Sequence, residues 1–376
     1  MSRIPCRRRH LQGYQVRCVC KVSVIIPTYN HRTYVLKTLD SVFAQSFTDY
    51  EVIVVNDGSQ DDTAELLRPL TESGRIRCFD QPHAGQAAAR NRGLAEARGD
   101  FVAFLDDDDF WPIDKLEWQV LELDRRSTCG VIAGVARELC GSDGGGRIFG
   151  KRPLGAGVND FKEVTFEEMF QGCPFVSPGQ TLIRNELLRR LKGFRDSFRG
   201  TDDFDFWMRA AREAQVLQSA QIALYYRVHP ASASRDRQSM LVNSRKVIQA
   251  NIAHALPGSR HRLLRNAYRY LYDYCGYDLT VGCRQHLWSC RLKQFFRQLV
   301  LLIRIFCPHL YSDPVLAGKV IKGMVTNPLL RRLKRMKPFY KGGENRDKQL
   351  SAKSSAVAAT FCRSYDLAAE SGDKAE

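Results

Sequence analysis

Residues 99–111 run Gly-Asp-Phe-Val-Ala-Phe-Leu-Asp-Asp-Asp-Asp-Phe-Trp. The apolar stretch 101–105 is short and opened by Gly-Asp, the pattern of a fully buried strand. Four aspartates, 106–109, follow at its carboxyl end. Carboxylates packed this closely repel one another strongly. A chain carries such a cluster at the edge of its core only where positive charge meets it. A hard divalent cation with oxygen ligands, Mn²⁺ or Mg²⁺, meets that requirement. In an extended ending, residues two apart point the same way. Asp106 and Asp108 are then expected to face one ion together. The competing reading is a solvated acidic turn that caps the next helix. A cap needs one carboxylate rather than four, and Asp109 suits that part.

The stretches before it set the fold class. Residues 22–26 read as a buried strand ended by Pro27, followed by Thr28-Tyr29-Asn30 and a helical pattern with Val35, Leu36, Leu39, Val42 and Phe43. Residues 51–55 form a second strand, ending in Asn56-Asp57-Gly58-Ser59. Asp62 and Glu65 open the next helix like a capping box. Residues 76–79 are a weaker strand, and 85–97 an Ala-rich helix. Repeated strand–helix alternation predicts an α/β fold, a mostly parallel sheet with helices on both faces. Ligands bind such sheets at the carboxyl ends of the strands, where Asn30, Asp57 and Asp106 all fall. Asp57 can accept hydrogen bonds from a base or ribose, Tyr29 can stack on a base, and Arg90 can pair with phosphate or orient Asp57. Each also has an ordinary reading: Asp-Gly is turn chemistry, and Arg90 a solvated helix residue. No G-x-G-x-x-G follows the first strand and no G-x-x-x-x-G-K-[ST] occurs anywhere, so the phosphate cradles of dinucleotide dehydrogenases and P-loop NTPases are missing.

Four motifs now stand in order: Ser23-Val24-Ile25-Ile26-Pro27-Thr28-Tyr29-Asn30, Val54-Val55-Asn56-Asp57-Gly58-Ser59, Ala89-Arg90-Asn91-Arg92-Gly93, and Phe104-Leu105-Asp106-Asp107-Asp108-Asp109-x-Trp111. Together they resemble the family 2 glycosyltransferases, inverting enzymes of the GT-A fold that use nucleotide-diphosphate sugars; the likeness covers roughly residues 21–235. The resemblance implies that Pro27, Tyr29, Asn30, Asp57, Arg90, Asp106 and Asp107 bind the nucleotide sugar. It makes Asp106 and Asp108 the metal-binding D-x-D motif. The proline that usually follows the Trp comes one residue early, as Pro112.

Sugar transfer also needs a base for the acceptor hydroxyl and stabilisation of the departing diphosphate. Residues 130–200 are expected to supply the acceptor side: a strand at 131–136, a Gly-rich loop at 141–146, Ser177-Pro178-Gly179-Gln180, and a helix at 185–191 stopped by Gly193. Thr201-Asp202-Asp203-Phe204-Asp205-Phe206-Trp207-Met208-Arg209 puts three acids ahead of an apolar helix face, with Phe204, Trp207, Met208 and Ala211 inward. A shared N-terminal cap is the plain reading. The stretch resembles the family's Glu-Asp-x-Asp-x-Trp-x-x-Arg motif, which makes Asp203 the catalytic base. A shorter acid, Asp202, replaces the usual Glu, and Asp205 falls to a structural part. The helix N-terminus is expected to favour the ionised base. His229 resembles a family histidine that reaches the metal or diphosphate; a lone His is as often structural. The Gln-x-x-Arg-Trp motif of processive members is absent, so one sugar per acceptor is expected.

Composition divides the remainder. The net charge is +16 over 376 residues, but residues 284–341 carry net +12 and residues 1–21 carry +6, leaving the rest close to neutral. Residues 1–20, with Arg7-Arg8-Arg9, read as a disordered basic arm or a start codon assigned too early; 21–240 as the GT-A domain; 241–341 as a helical basic extension; 342–376 as a polar, disordered tail. Phe295, Phe296, Leu299, Leu302, Ile303 and Phe306 recur at helical spacing between Arg291, Arg297 and Arg304. Such a helix lies in a membrane interface or packs on the catalytic domain. Nucleic acid is not expected, because no nucleic-acid motif accompanies the charge. Twelve cysteines are scattered without metal spacing, and no signal peptide or membrane-spanning run appears. The expected setting is reduced and cytoplasmic, peripheral on the cytoplasmic face of the membrane. The function implied is inverting transfer of one sugar to an acceptor hydroxyl of a glycan or lipid-linked acceptor, in cell-surface polysaccharide or glycolipid synthesis. The alternatives are a non-catalytic sugar- or membrane-binding protein on the same fold, which should have lost the D-x-D or Asp203, and a nucleotidyltransferase, which would want a Gly-rich loop after the first strand.

Overall fold

The sheet begins where the sequence is most apolar. β1 (Val22–Thr28) is buried throughout and pairs in parallel with β2 (Tyr50–Asn56) and β4 (Phe101–Phe104), and β2 with β3 (Arg77–Asp80). In the computed structural model of the chain, the described residues are 20–139, 148–149, 160–229, 235–289, 291–310, 313, 315–317 and 319–320. Residues 1–324 form one compact unit; the second, residues 325–376, lies outside the described residues, as do the basic arm, the Gly-rich loop at 141–146 and the tail.

Helices α1 (Val35–Phe43), α2 (Thr63–Glu72) and α3 (Gln86–Glu96) connect the parallel strands, and α4 (Lys115–Arg125) leads on to β5 (Cys129–Leu139). The strand order is β3-β2-β1-β4-β8-β5-β9-β7, where β7 is Phe161–Glu163, β8 Thr181–Arg184 and β9 Gln215–Arg227. β6 (Ile148–Phe149) pairs with β5. β8 runs antiparallel to both β4 and β5, so the sheet is mixed with a parallel majority on the β1 side. Helices α5 (Phe166–Met169), α6 (Asn185–Arg190) and α7 (Asp202–Glu213) cover one face.

Three local expectations are corrected. β1 does not stop at Pro27 but runs to Thr28. Pro27 lies past the end of β4, on the side where Ile25 receives its bond from Leu105, so no ladder partner lacks an N–H. Asp62 makes no capping bond; Asp61 accepts from Thr63, and Asp62 pairs with Arg32. Residues 106–109 are not extended: β4 ends at Phe104, and the Asp109 N–H closes a turn on the Asp106 carbonyl.

The chain after β9 continues as α8 (Arg237–Ile252), α9 (Arg260–Leu271), a π-helical turn (Tyr272–Gly276), α10 (Tyr277–Trp288) and α11 (Leu292–Leu310). Leu241, Val247, Leu263, Tyr268, Leu302 and Phe306 share one buried cluster with Trp207, Ile25 and Phe104 of the sheet and its covering helices. The extension therefore packs into the core of the sheet domain. α11 keeps a second face open, and that face carries Leu292, Phe296, Val300 and Ile303.

Candidate active site

One rim of the sheet gathers the loops after β1, β2, β4 and β9 and the start of α7. Its centre is Arg90. α3 lies close enough on β1 that a Cβ at Gly93 would come within 2.4 Å of the Ile25 side chain. One turn earlier on that helix, the Arg90 guanidinium is 3% exposed and bridges two carboxylates, Asp106 at 2.7 Å and Asp202 at 3.0 Å. Burial alone would lower its pKa, but Asp106, Asp202 and Asp203 outweigh that and hold the charge more firmly than usual. Arg90 thus makes no bond to Asp57, contrary to one expectation for it.

Asp57 has other partners. Its buried carboxylate accepts from the Gln81 side chain, from the Ala84 and Gly85 N–H groups at 2.9 and 2.8 Å, and faces His83 Nδ1 at 2.9 Å. The acid fixes the loop that leads into α3. His83 in turn stacks on Tyr29, their centroids 4.1 Å apart. Asn30 takes a left-handed conformation (φ 55°), donates its N–H to Ser59 and accepts from the Gln60 N–H. Pro27 is buried at the end of β1 below them.

The four aspartates separate in the turn. Asp106 accepts from Arg90, from Gln86 at 2.9 Å and from Ser177 Oγ at 3.0 Å. Asp107 accepts from the Tyr29 N–H and faces His31 Nδ1 at 2.7 Å, a contact that raises the His31 pKa. Asp108 meets His229 Nε2 at 2.8 Å. Burial, with the charges of Asp106 and Asp107, raises the Asp108 pKa. Asp109 is not a helix cap. It is fully buried, accepts the Arg227 N–H at 2.8 Å and ties the end of β9 to the turn; burial pushes its carboxyl well up. Among the described residues no group of three or more His, Cys, Asp or Glu is placed to hold a metal ion. Asp106, Asp108 and His229 therefore do not converge as a three-ligand set, because Asp106 is turned towards Arg90. The arrangement still fits the way Mg²⁺ is commonly held, by one or two carboxylates with substrate phosphates completing the shell: Asp108 crowds against two further carboxylates whose charge calls for a cation.

Trp111 and α4 hold the segment that follows Ser177. Trp111 Nε1 donates to the Gly179 carbonyl at 2.9 Å, Lys115 Nζ to Thr181 at 3.0 Å and Gln119 to Gln180 at 2.9 Å. Lys115 is fully buried over the Trp111 ring, and desolvation lowers its pKa well below the usual value. Ser177 and Gln180 form a capping box, a pattern legible as Ser-x-x-Gln, whereas the bond from Ser177 to Asp106 is visible only in the fold. His31, His83 and Gln86 were equally missed, since only the folded loops bring them to the acids.

α7 carries the remaining acids. Phe204, Phe206, Trp207 and Met208 bury its apolar side. Asp205 is fully buried and pairs with Arg209 at 2.8 Å, and Arg209 donates to the carbonyls of Leu191 and Gly193. Asp203 is half-buried, and one of its oxygens accepts the Phe204 N–H at 2.7 Å. Its pKa is pushed up to about 7, by burial first and then by the charge of Asp202, against the pull of Arg90. The helix N-terminus does not keep it in the ordinary carboxylate range, because desolvation is the larger effect.

Residues 23–192 match the family model described as "Glycosyl transferase family 2". These residues form a family 2 glycosyltransferase domain. An uncharacterised glycosyltransferase of Rickettsia felis is 29% identical over 211 residues, 56% of this chain and 33% of that protein. The glycosyltransferase GlyA of Streptococcus pneumoniae is 42% identical over 98 residues, 26% of this chain and 14% of its own length. The chain thus spans a third or less of these two relatives. The structure of S. aureus TarS 1–349 in complex with UDP-GlcNAc superimposes with a TM-score of 0.61 at 19% identity, covering 87% of this chain and 95% of that one. The mannosyltransferase PcManGT of Pyrobaculum calidifontis, in complex with GDP-Man and Mn²⁺, covers 78% of this chain and 88% of its own, with a TM-score of 0.50 at 21% identity. The fold is GT-A.

Two predictions test the electrostatics of this rim. Arg90→Gln strands Asp106 and Asp202 without their shared cation and should cost ~3–5 kcal/mol of stability in urea unfolding. Arg90→Lys should recover little, because a point charge cannot bridge both acids as a guanidinium does. Wild-type stability in Arg90→Gln would refute the bridge. Asp203→Asn should raise the thermal midpoint above pH 7. The folded carboxyl titrates near 7 and the unfolded one near 3.8, so ionisation costs stability progressively between those values. The gain should shrink as pH falls from 7 towards 4. Superimposed melting curves at pH 8 would show that the carboxyl is not raised.

Proposed function

We propose that the protein transfers one sugar from a nucleotide-diphosphate sugar to an acceptor hydroxyl, with inversion. The observation that carries this is the Arg90 bridge, which fixes the D-x-D turn and the start of α7 beside one another, with Asp203 next to that bridge. Nucleotide-sugar donors are supported by the family and by the UDP-GlcNAc and GDP-Man in the similar structures. The Tyr29–His83 pair and Asn30 form the nucleoside side of the rim, with Asp57 fixing the loop that carries His83. Asp106, Asp107 and Asp108 form the diphosphate side. A Mn²⁺ or Mg²⁺ ion on Asp108, beside Asp106 and with His229 adjacent, would neutralise charge on the leaving diphosphate.

Asp203 takes the proton of the acceptor hydroxyl as that oxygen bonds to the sugar's anomeric carbon and the bond to the diphosphate breaks. A base with a pKa of about 7 is matched to neutral operation. Asp106 and Asp202 are occupied by Arg90, which leaves Asp203 as the acid of α7 able to act. Transfer of one sugar at a time follows from the missing processive motif. A nucleotidyltransferase reading has no Gly-rich loop after β1 to rest on, and a non-catalytic binding protein would have no need of a raised Asp203.

Asp203→Asn should lower transfer ~10²- to 10⁴-fold while nucleotide affinity stays near wild type. Asp108→Asn should weaken metal-dependent donor binding. Hydrolysis and transfer assayed over a panel of nucleotide sugars give the readout. Full turnover in Asp203→Asn, or full activity in excess chelator, would overturn the base or the metal respectively.

We also propose peripheral attachment to anionic membrane through α11. Its open face sets Leu292, Phe296, Val300 and Ile303 among the exposed Lys293, Arg297 and Arg304. Among the described residues no helix is long and apolar enough to cross a membrane. Basic residues at an anionic surface contribute ~1 kcal/mol each. The protein should sediment with phosphatidylserine vesicles at low salt and release at high salt, and Phe296→Asp should weaken binding. Indifference to the vesicles would leave α11 a packing helix alone.

A further inference from the structure

The rim holds a guanidinium that no described acid pairs. Arg227 is the last residue of β9, at the carboxyl end of the strand, where sheets of this class bind ligands. Hydrogen bonds tie that end to the aspartate turn. Phe110 and Tyr225 exchange backbone bonds of 3.2 and 2.9 Å. The Arg227 N–H donates to the Asp109 carboxylate at 2.8 Å, and Arg227 Nε donates to the Asp108 carbonyl at 2.8 Å. The guanidinium then lies over two rings, 4.9 Å from the Tyr34 centroid and 5.6 Å from that of Phe110. Backbone, Nε and rings together fix it beside Asp108, half-buried.

Its charge is uncompensated. The Asp108 carboxylate meets His229 Nε2 at 2.8 Å, and the Asp109 carboxylate takes the Arg227 backbone N–H rather than its side chain. Among the described residues no carboxylate pairs with the guanidinium and no group accepts from its two terminal nitrogens. Other arginines of the rim differ: Arg90 is engaged by Asp106 and Asp202, and Arg32 by Asp62. A positioned fork of N–H donors without an acid is matched to a phosphate oxyanion. When the sugar leaves, the electron pair of the broken bond stays on a phosphate oxygen, so the diphosphate gains negative charge. A cation already fixed beside it favours that developing charge over the ground state.

We propose that Arg227 is a catalytic residue: its terminal nitrogens donate to the diphosphate of the nucleotide sugar and hold the charge that stays on it as the sugar departs. The proposal rests on the donor-site reading above, and the experiment separates the two. Calorimetric titration of the full chain, with Mg²⁺ present, uses UMP and UDP, and GMP and GDP, as probes. In the wild type one diphosphate should bind more tightly than its monophosphate. Arg227→Gln should weaken diphosphate binding roughly 10-fold or more and leave monophosphate binding unchanged. Arg227→Lys should recover only part of the loss, because an ammonium lacks the fork. Turnover of the matching nucleotide sugar should fall further than donor affinity, since the new charge appears only as the bond breaks. Phe110→Leu removes one ring from the guanidinium and leaves its hydrogen bonds in place. It should weaken diphosphate binding roughly 3-fold, and it decides the matter where Arg227→Gln does not fold. Equal losses of monophosphate and diphosphate affinity would make Arg227 a brace of the turn. Wild-type diphosphate affinity in both variants would make it a hydrated surface charge. Either result overturns the proposal. Failure of all four nucleotides to bind the wild type would overturn the donor-site reading, and this proposal with it.

Discussion

A single guanidinium holds the candidate site together. Arg90 is buried between Asp106, in the turn after β4, and Asp202, at the head of α7. These acids lie 96 residues apart in the chain, and without a cation between them they could not approach inside the protein. Buried ion pairs of this kind contribute little net stability, since desolvation offsets the Coulomb gain, but losing one partner is severe. Their use is to define one arrangement. Arg90 reaches this point because α3 is built of Ala and Gly where it meets the sheet; a Cβ at Gly93 would collide with Ile25. The backbone approach of α3 and the placement of two acidic motifs are therefore one constraint.

Much of this was legible in the sequence, for physical reasons. Buried parallel strands are continuous apolar runs, so β1, β2 and β4 stood out, and the rule that ligands bind at their carboxyl ends located the rim. What failed was geometry at the ends of elements. Alternation predicts residues 106–109 as an extension of β4, yet the strand ends two residues earlier. The turn then sends Asp106 to Arg90, Asp107 to His31 and Asp108 to His229. Alternation has no force outside a strand. Asp109 looked like a cap and is instead buried against Arg227. A carboxylate's partners cannot be read from its own neighbours when the partner lies over a hundred residues away.

The C-terminal helices show a second limit. The stripe in residues 292–306 fitted a membrane helix and a packing helix equally well, because periodicity reveals an apolar face but not what covers it. α11 has apolar residues on two sides: Leu302, Ile305 and Phe306 enter the core, while Phe296, Val300 and Ile303 stay open. Composition alone therefore does not show that the extension shares the core of the sheet. Charge changes abruptly after residue 284, but the hydrophobic cluster is continuous from the sheet to Phe306.

That continuity bears on the chemistry. Asp203 stands at the N-terminus of α7, where the helix field favours a negative charge, and Arg90 pulls the same way. Yet its pKa moves up, to about 7, because burial and Asp202 oppose them and win. Part of that burial follows from α7 lying in the same core as the C-terminal helices, where Phe204, Trp207 and Met208 share one cluster with Leu241, Leu263 and Phe306. The turn at 106–109 is dense in charge and compensates it with Arg90, His31 and His229. Asp203 has no such cation of its own at hydrogen-bond distance among the described residues and so is an under-stabilised carboxylate. An under-stabilised carboxylate binds a proton more readily. The packing that buries the start of α7 thus also sets the basicity of the proposed base, which ties the core of the domain to proton transfer at its rim.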